Sequence, residues 1–195
     1  MIAVSQMFFL RRPSDARIRG ILECQSQTGF SYPEVGATGT QAPRGYHVDH
    51  ERFALGHGAP AFARAKSAIR VWEMFHNGWT HLCWPGAPIE RGATVAMLVR
   101  ALGLWSVNVC RIVYVIDEPH RYGFAYGTLP AHVEAGEERF LVEWLDDGSV
   151  WFDLLAFSRA RHVLAKIASP LVRALQRRFR RDAGRAMRRA IAADS

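Results

Sequence analysis

The chain is expected to be an α+β protein in which a curved antiparallel sheet grips a long C-terminal helix. Three observations predict this. Five strand-like segments follow one another between Thr94 and Phe157, and their connections are short enough to make them antiparallel neighbours. An amphipathic helical stretch precedes them. A longer one ends the chain, with Leu171, Leu175, Phe179, Ala183, Met187 and Ile191 on one strip. One helix does not fill a strongly curved sheet, so such a fold leaves a cavity between the two. A plain α+β sandwich with a filled core fits the same pattern.

Residues 13–24 predict a short helix, with Pro13 in its first turn and Ile18, Ile21 and Leu22 on one face. Residues 25–45 are rich in Gly, Thr, Ser and Pro and predict an ordered loop. Tyr46–Leu55 alternates loosely, as a strand does. From Ala59 to His76, Phe62, Ala65, Ile69, Trp72 and Phe75 recur at helical spacing, and Gly78 is the expected stop.

The strands are expected at about Thr94–Ala101, Trp105–Ile116, Tyr122–Leu129, Glu137–Leu145 and Val150–Phe157. They are broken at Gly103, at Asp117-Glu118-Pro119, between Pro130 and Gly136, and at the hairpin signal Asp146-Asp147-Gly148. Phe140, Val142 and Trp144 point one way; Arg139, Leu141 and Glu143 point the other, which predicts one packed face and one partly wet face. Ala160–Ala168 reads as a helical segment, and Pro170 suits the first turn of the final helix.

The 195 residues are expected to form a single domain. Its parts are an N-terminal extension over 1–31, the loop, helix and sheet over 32–158, and a basic helix over 159–195. The net charge of +7 is not spread evenly: residues 159–195 carry +9 and the rest −2. Basicity confined to one segment argues against a general nucleic-acid surface. The arginines of the last helix are expected to form a solvated face.

No apolar run reaches bilayer length, and the N-terminus lacks the order of features that a signal peptide has. Three well-separated cysteines, Cys24, Cys83 and Cys110, form neither a disulfide framework nor a metal knuckle. They read as small buried hydrophobes in a reducing cytoplasm.

Several segments carry a resemblance. They are 32–38 (YPEVGAT), 43–46 (PRGY), 55–58 (LGHG), the helix around Phe62–Phe75, 108–118 (NVCRIVYVIDE), 123–130 (GFAYGTLP), His132 and 136–140 (GEERF). In this order they resemble the DUF1990 family, from about Phe9 to Phe179. Two positions depart from it: Val133 and Ala160 stand where the family carries Pro. The resemblance implies a distant relation to the helix-grip group of START-like and birch-pollen allergen-like proteins. That relation implies a fold and a cavity and transfers no catalytic residue.

The densest polar cluster is Tyr122–Phe140, with Tyr126, Thr128, His132, Glu134, Glu137 and Glu138. A His–Glu pair at a hairpin end suits general acid–base work, so His132, Glu137 and Tyr126 are the catalytic candidates. The plainer alternative is a solvated turn. Phe124, Tyr126 and Thr128 share one strand face. With Tyr32, Thr38 and Tyr46 of the Gly-rich loop and Arg111 of an apolar strand, they are the candidate ligand-binding residues. Arg111 calls for a partner if buried, with Glu137, Glu143 and Asp153 in reach by position.

In HVDHE, His47 and His50 point to opposite faces of a strand, so no metal site is expected. No dinucleotide fingerprint, phosphate loop or nucleophile elbow is present, and no cofactor is implied. The leading reading is a binding domain for a small apolar or amphipathic molecule. An enzyme of cyclase, isomerase or hydratase type acting on such a molecule is the first alternative. An interaction module using the Arg-rich helix on nucleic acid or anionic lipid is the second.

Overall fold

In the computed structural model, which describes residues 7–132, 134–160 and 169–192, eight strands and three α-helices follow in order. They are β1 (Phe8–Phe9), α1 (Asp15–Ser26), β2 (His47–His57), α2 (Gly58–Arg70), β3 (Thr80–Leu82), β4 (Thr94–Ala101), β5 (Leu104–Glu118), β6 (Arg121–Thr128), β7 (Glu134–Trp144), β8 (Ser149–Ala160) and α3 (Ser169–Ala192). Every pairing is antiparallel, in the order β2-β8-β7-β6-β5-β4-β3. β1 pairs with β5 at Trp105 and Ser106, beyond the stretch that β6 occupies. Register shifts in β5 between Ile112 and Tyr114, and in β2 between Ala54 and Gly56, add local bend and twist. The result is a curled sheet holding the C-terminal helix.

The turns follow from their residues. Leu102 and Gly103 both take positive φ between β4 and β5, as a two-residue hairpin requires. At the β7–β8 hairpin, Gly148 has φ +83°, and Asp147 accepts the backbone N–H of Ser149 at 2.8 Å. α1 begins after Ser14, whose hydroxyl accepts the Arg17 N–H at 3.3 Å. It therefore starts two residues beyond Pro13.

The helix expected over Ala59–His76 ends at Arg70. Trp72 then turns left-handed at φ 58°, and a single 3-10 turn, Glu73–Phe75, follows. Burial of the indole holds this conformation: Trp72 is fully enclosed, lies 4.7 Å from the Phe124 ring and donates to the Ala87 carbonyl at 3.1 Å. β7 begins at Glu134 rather than Glu137, so Gly136 is not a break. A Cβ there would sit 1.9 Å from the Phe157 carbonyl oxygen, and only glycine lets the strands pair so closely. Of the segment expected over Ala160–Ala168, Ala160 closes β8 and the remainder lies outside the described residues.

Both faces of the sheet are covered. On the concave face Phe124, Phe140, Val142, Phe152 and Leu154 pack with Ala65, Ile69 and Trp72, and with Ala183, Met187 and Ile191 of α3. Each fully buried side chain of this size contributes roughly 1.5–3 kcal/mol. On the convex face Ala96, Leu98, Val107 and Val109 pack under Ile18 and Ile21 of α1. β4 is thus buried on both sides, which explains its unbroken apolar run. Over β7 and β8 the convex face carries an ion network: Arg139 meets Asp153 at 2.8 Å, and Arg52 meets Glu143 at 2.9 Å.

Candidate ligand site

The concave face has an apolar half and a polar half. Strand register sets the division. Phe53 pairs with Phe152, Glu51 with Leu154, Asp49 with Ala156 and His47 with Ser158. On β7, Glu138 lies opposite both Tyr126 and Ala156. Side chains alternate along a strand, so His47, Asp49, Glu51, Glu134, Glu138, Ala156 and Ser158 share the concave side with the phenylalanines. The second half of α3 covers the apolar part. The first half, with Arg173, Gln176, Phe179 and Arg180, faces the polar part.

The Tyr126 hydroxyl donates to Glu138 Oε2 at 2.6 Å. Burial pushes the Glu138 carboxyl up to about 7, against the pull of the Tyr126 hydrogen bond and Arg180, with Asp49 and Glu134 adding to the rise. Burial, and then Glu138 itself, holds the Tyr126 phenol well above its usual range. Although Glu138 lies beneath α3, it keeps part of its surface accessible. So do Ala156 opposite it and Leu175, Gln176 and Phe179 above it. Solvent therefore reaches part of each of these side chains. The sheet supplies an aromatic floor, with Tyr126 and Phe140 5.3 Å apart, and Phe179 of α3 packs above it, 5.4 Å from Phe75.

The other polar groups here are paired. Gln176 donates to Glu134 at 2.6 Å, and burial raises the Glu134 pKa against Arg173, Ser158 and Gln176. Arg180, only 4 % exposed, meets Asp49 at 2.9 Å and Glu51 at 2.8 Å. This corrects the expectation of a uniformly solvated basic face on the last helix, because two acids on β2 draw this arginine inward. Others on that face also have contacts. Arg178 lies over Trp79 and pairs with Asp182, and Arg188 donates to the Ala54 carbonyl.

A second polar cluster lies on the convex side. Glu137, 2 % exposed, accepts from the Tyr32 hydroxyl at 2.6 Å, the Gly36 N–H at 2.7 Å and the Thr38 N–H at 3.0 Å, and also from the Thr38 hydroxyl. It staples the Gly-rich loop to β7. Gly127 makes room, since a Cβ there would meet the Tyr32 hydroxyl at 2.1 Å. Tyr32 and Thr38 thus converge on Glu137 and not on the concave face.

The remaining sequence candidates are dispersed. Tyr46 donates to Glu34 and stands edge-on to Phe157. Thr128 accepts from the Gly136 N–H at 3.0 Å and shares a hydrogen bond with Ser31 at 2.6 Å. Phe124 is core. Arg111 donates to the Thr28 carbonyl at 2.9 Å and the Ser26 carbonyl at 2.8 Å, so the end of α1 and not an acid is its partner. His132 accepts the Glu134 backbone N–H at Nδ1, in the turn after β6. His132, Glu137 and Tyr126 therefore do not form one constellation, since Glu137 and Tyr126 lie on opposite faces.

The sequence places Glu138 in the polar cluster without singling it out, and it does not mark Gln176, Arg173 or Arg180 as site residues. Counting by twos from Phe140 finds Glu138; the contacts of α3 have no such signal. Cys24 is exposed, Cys83 partly so, and only Cys110 is buried. His47 approaches Asp49 and His50 approaches Asp153, on opposite faces. Among the described residues no group of three or more His, Cys, Asp and Glu is placed to hold a metal ion, and no helix is long and apolar enough to cross a membrane.

Comparison with known proteins extends this picture. A family model described as a domain of unknown function, DUF1990, matches residues 31–186, which include every residue of the site. A UPF0548 protein of Deinococcus radiodurans is 40 % identical over 196 residues, covering 94 % of this chain and 98 % of that protein. A UPF0548 protein of Dictyostelium discoideum is 30 % identical over 207 residues, covering 95 % of this chain and 96 % of its own. The crystal structure of a hypothetical protein from Helicobacter pylori superposes with a TM-score of 0.53 at 10 % identity, over 83 % of this chain and 95 % of that one. That last likeness is one of fold. From the family match and the two relatives, the chain belongs to the DUF1990 family.

Proposed function

We propose that the protein binds a small amphipathic molecule between the concave face of the sheet and the first half of α3. The observation that carries this reading is the Tyr126–Glu138 pair, which lies beneath a helix and beside aromatic rings, with Glu138 still partly accessible. Keeping a carboxyl in such a place costs stability, and groups held at that cost concentrate at functional sites. The apolar part of the ligand rests against Phe179, whose ring packs on Phe75 and Phe140. Its polar part reaches Tyr126 and Glu138.

The test is fluorescence titration of the full chain with Nile red, an uncharged dye that brightens in apolar surroundings. Saturable one-to-one binding is expected. The variant Ala156→Trp, which puts an indole into the space opposite Glu138, should abolish it. The absence of saturable binding, or binding that Ala156→Trp leaves unchanged, overturns the reading. Native mass spectrometry followed by denaturing extraction would then name the chemical class of a co-purified ligand.

A second reading, acid–base chemistry on the bound molecule, is favoured by one observation. With its carboxyl near 7, Glu138 populates both protonation states at neutral pH, as a general acid or base needs. This replaces the His132–Glu137 pair with Glu138. Turnover of an extracted ligand should then vanish in Glu138→Gln while its binding persists.

A further inference from the structure

We propose that a recess at the mouth of this site binds an oxyanion, the phosphate or carboxylate end of the amphipathic molecule. The proposal rests on the binding reading above and gives the ligand a charge. The recess is open, with a volume of about 590 Å³, and Ser31, Gly45, His47, Ser158, Arg159 and Arg173 are among the residues that line it. Among the described residues its lining has two arginines, a histidine and two serine hydroxyls, and no carboxylate. The loop before β2, the first residue of β2, strand β8 and the start of α3 contribute these groups, so the site exists only in the folded chain.

Both arginines are held in place with donors to spare. The Arg159 guanidinium lies 4.6 Å from the centre of the Tyr46 ring, a contact that uses none of its N–H donors. Arg173 uses Nη1 on Gln176 at 3.1 Å and Ser158 at 3.4 Å, and Nη2 completes the fork. A planar fork of this kind matches an oxyanion. The nearby acids are engaged elsewhere: Glu134 takes the Gln176 amide, and Asp49 takes Arg180. The charge of Arg173 also acts on Glu134, and the Arg159 guanidinium lies over the Tyr46 ring.

The recess adjoins the polar half of the concave face. Ser158 lines it and also reaches Glu134 and Gln176 inside. Along β8, Ala156 opposite Glu138 is one pleat repeat further in, about 7 Å away. A head group at Arg159 and Arg173 can thus send an alkyl or aryl tail under α3.

The experiment is calorimetric titration of the full chain at low ionic strength with n-decyl phosphate, n-decanol and inorganic phosphate, each below its aggregation limit. Decyl phosphate should bind at least about tenfold more tightly than decanol. Arg159→Gln and Arg173→Gln should each weaken decyl phosphate by about tenfold and leave decanol unchanged. Arg181→Gln, an exposed arginine of α3 that does not line the recess, should change neither. Arg159 is exposed, so its variant should keep the wild-type melting temperature.

If inorganic phosphate binds as tightly as decyl phosphate with the same arginine dependence, the anion site stands and its link to a tail is overturned. If decanol and decyl phosphate bind equally and the arginine variants are silent, the oxyanion proposal is overturned and the binding reading survives. If neither alkyl probe binds, both fall.

Discussion

Glu137 and Glu138 are neighbours in the chain, lie on opposite faces of β7, and have different roles. Glu138 sits on the concave face with its carboxyl raised from 4.5 to about 7. The folded state therefore keeps this proton to higher pH than the unfolded state does, and stability falls as pH rises from about 4.5 through about 7. Above that window the full penalty is present. Because the side chain is partly accessible, the penalty is put at about 2 kcal/mol. Glu138→Gln should thus match the wild type at pH 4 and be the more stable by about that amount at pH 8 in urea unfolding. Part of the wild-type slope should persist in the variant, because the Glu134 pKa is raised too. Glu137→Ala has the opposite sign. It strands the donors of Tyr32, Gly36 and Thr38 and should cost about 3–5 kcal/mol, with faster proteolysis between 32 and 46 as a second readout.

Two residues decide how α3 sits on the sheet. Arg180 fastens the middle of the helix to β2 through Asp49 and Glu51. Removing one partner of a buried ion pair is costly, so Arg180→Ala should destabilise by about 3–5 kcal/mol in chemical denaturation. Gly184 lets the second half come close: a Cβ there would fall 2.5 Å from the Phe53 ring. Gly184→Val should cost about 1–3 kcal/mol by overpacking, despite the better helix propensity of valine. It should also reduce Nile red affinity, because a helix lifted at Gly184 no longer holds Phe179 over the aromatic floor. Unchanged affinity in a destabilised Gly184→Val would separate helix seating from ligand binding.

At the scale of the whole molecule, one curved sheet serves three coverings. α1 and the Gly-rich loop seal the convex side, α2 and the second half of α3 fill the apolar half of the concave side, and the first half of α3 spans the polar half. In this last region Glu138, Leu175, Gln176 and Phe179 stay partly accessible, so it is where a ligand would add stability. A ligand that binds only the folded chain should raise its stability by about 2.7 kcal/mol at a hundred times its Kd. The melting temperature should rise with decyl phosphate concentration in the wild type and stay flat in Ala156→Trp.

Local signals were enough for the order of elements. Apolar runs or alternation between turn residues marked β4 to β8, the Asp146-Asp147-Gly148 run marked a hairpin, and period four marked α3, because each is a property of residues close in the chain. The two short strands β1 and β3 carry no such signal, since two or three residues cannot show a period. Gly136 looked like a break because the carbonyl that crowds it belongs to β8. The site was legible only as a neighbourhood: the cluster Tyr122–Phe140 was visible, and alternation from Phe140 places Glu138 inside. What packs over it was not visible. Arg173, Gln176 and Arg180 come from a helix more than thirty residues on, and the partners of Arg180 on β2 lie more than a hundred residues before it. Their pairing depends on how sheet curvature and the close contact at Gly184 set the helix on the sheet. Local composition determined the elements and their faces. The polar half of the concave face, the buried Arg180 and the recess between Arg159 and Arg173 were decided by tertiary contacts, because burial and field are sums over neighbours that the chain does not place side by side.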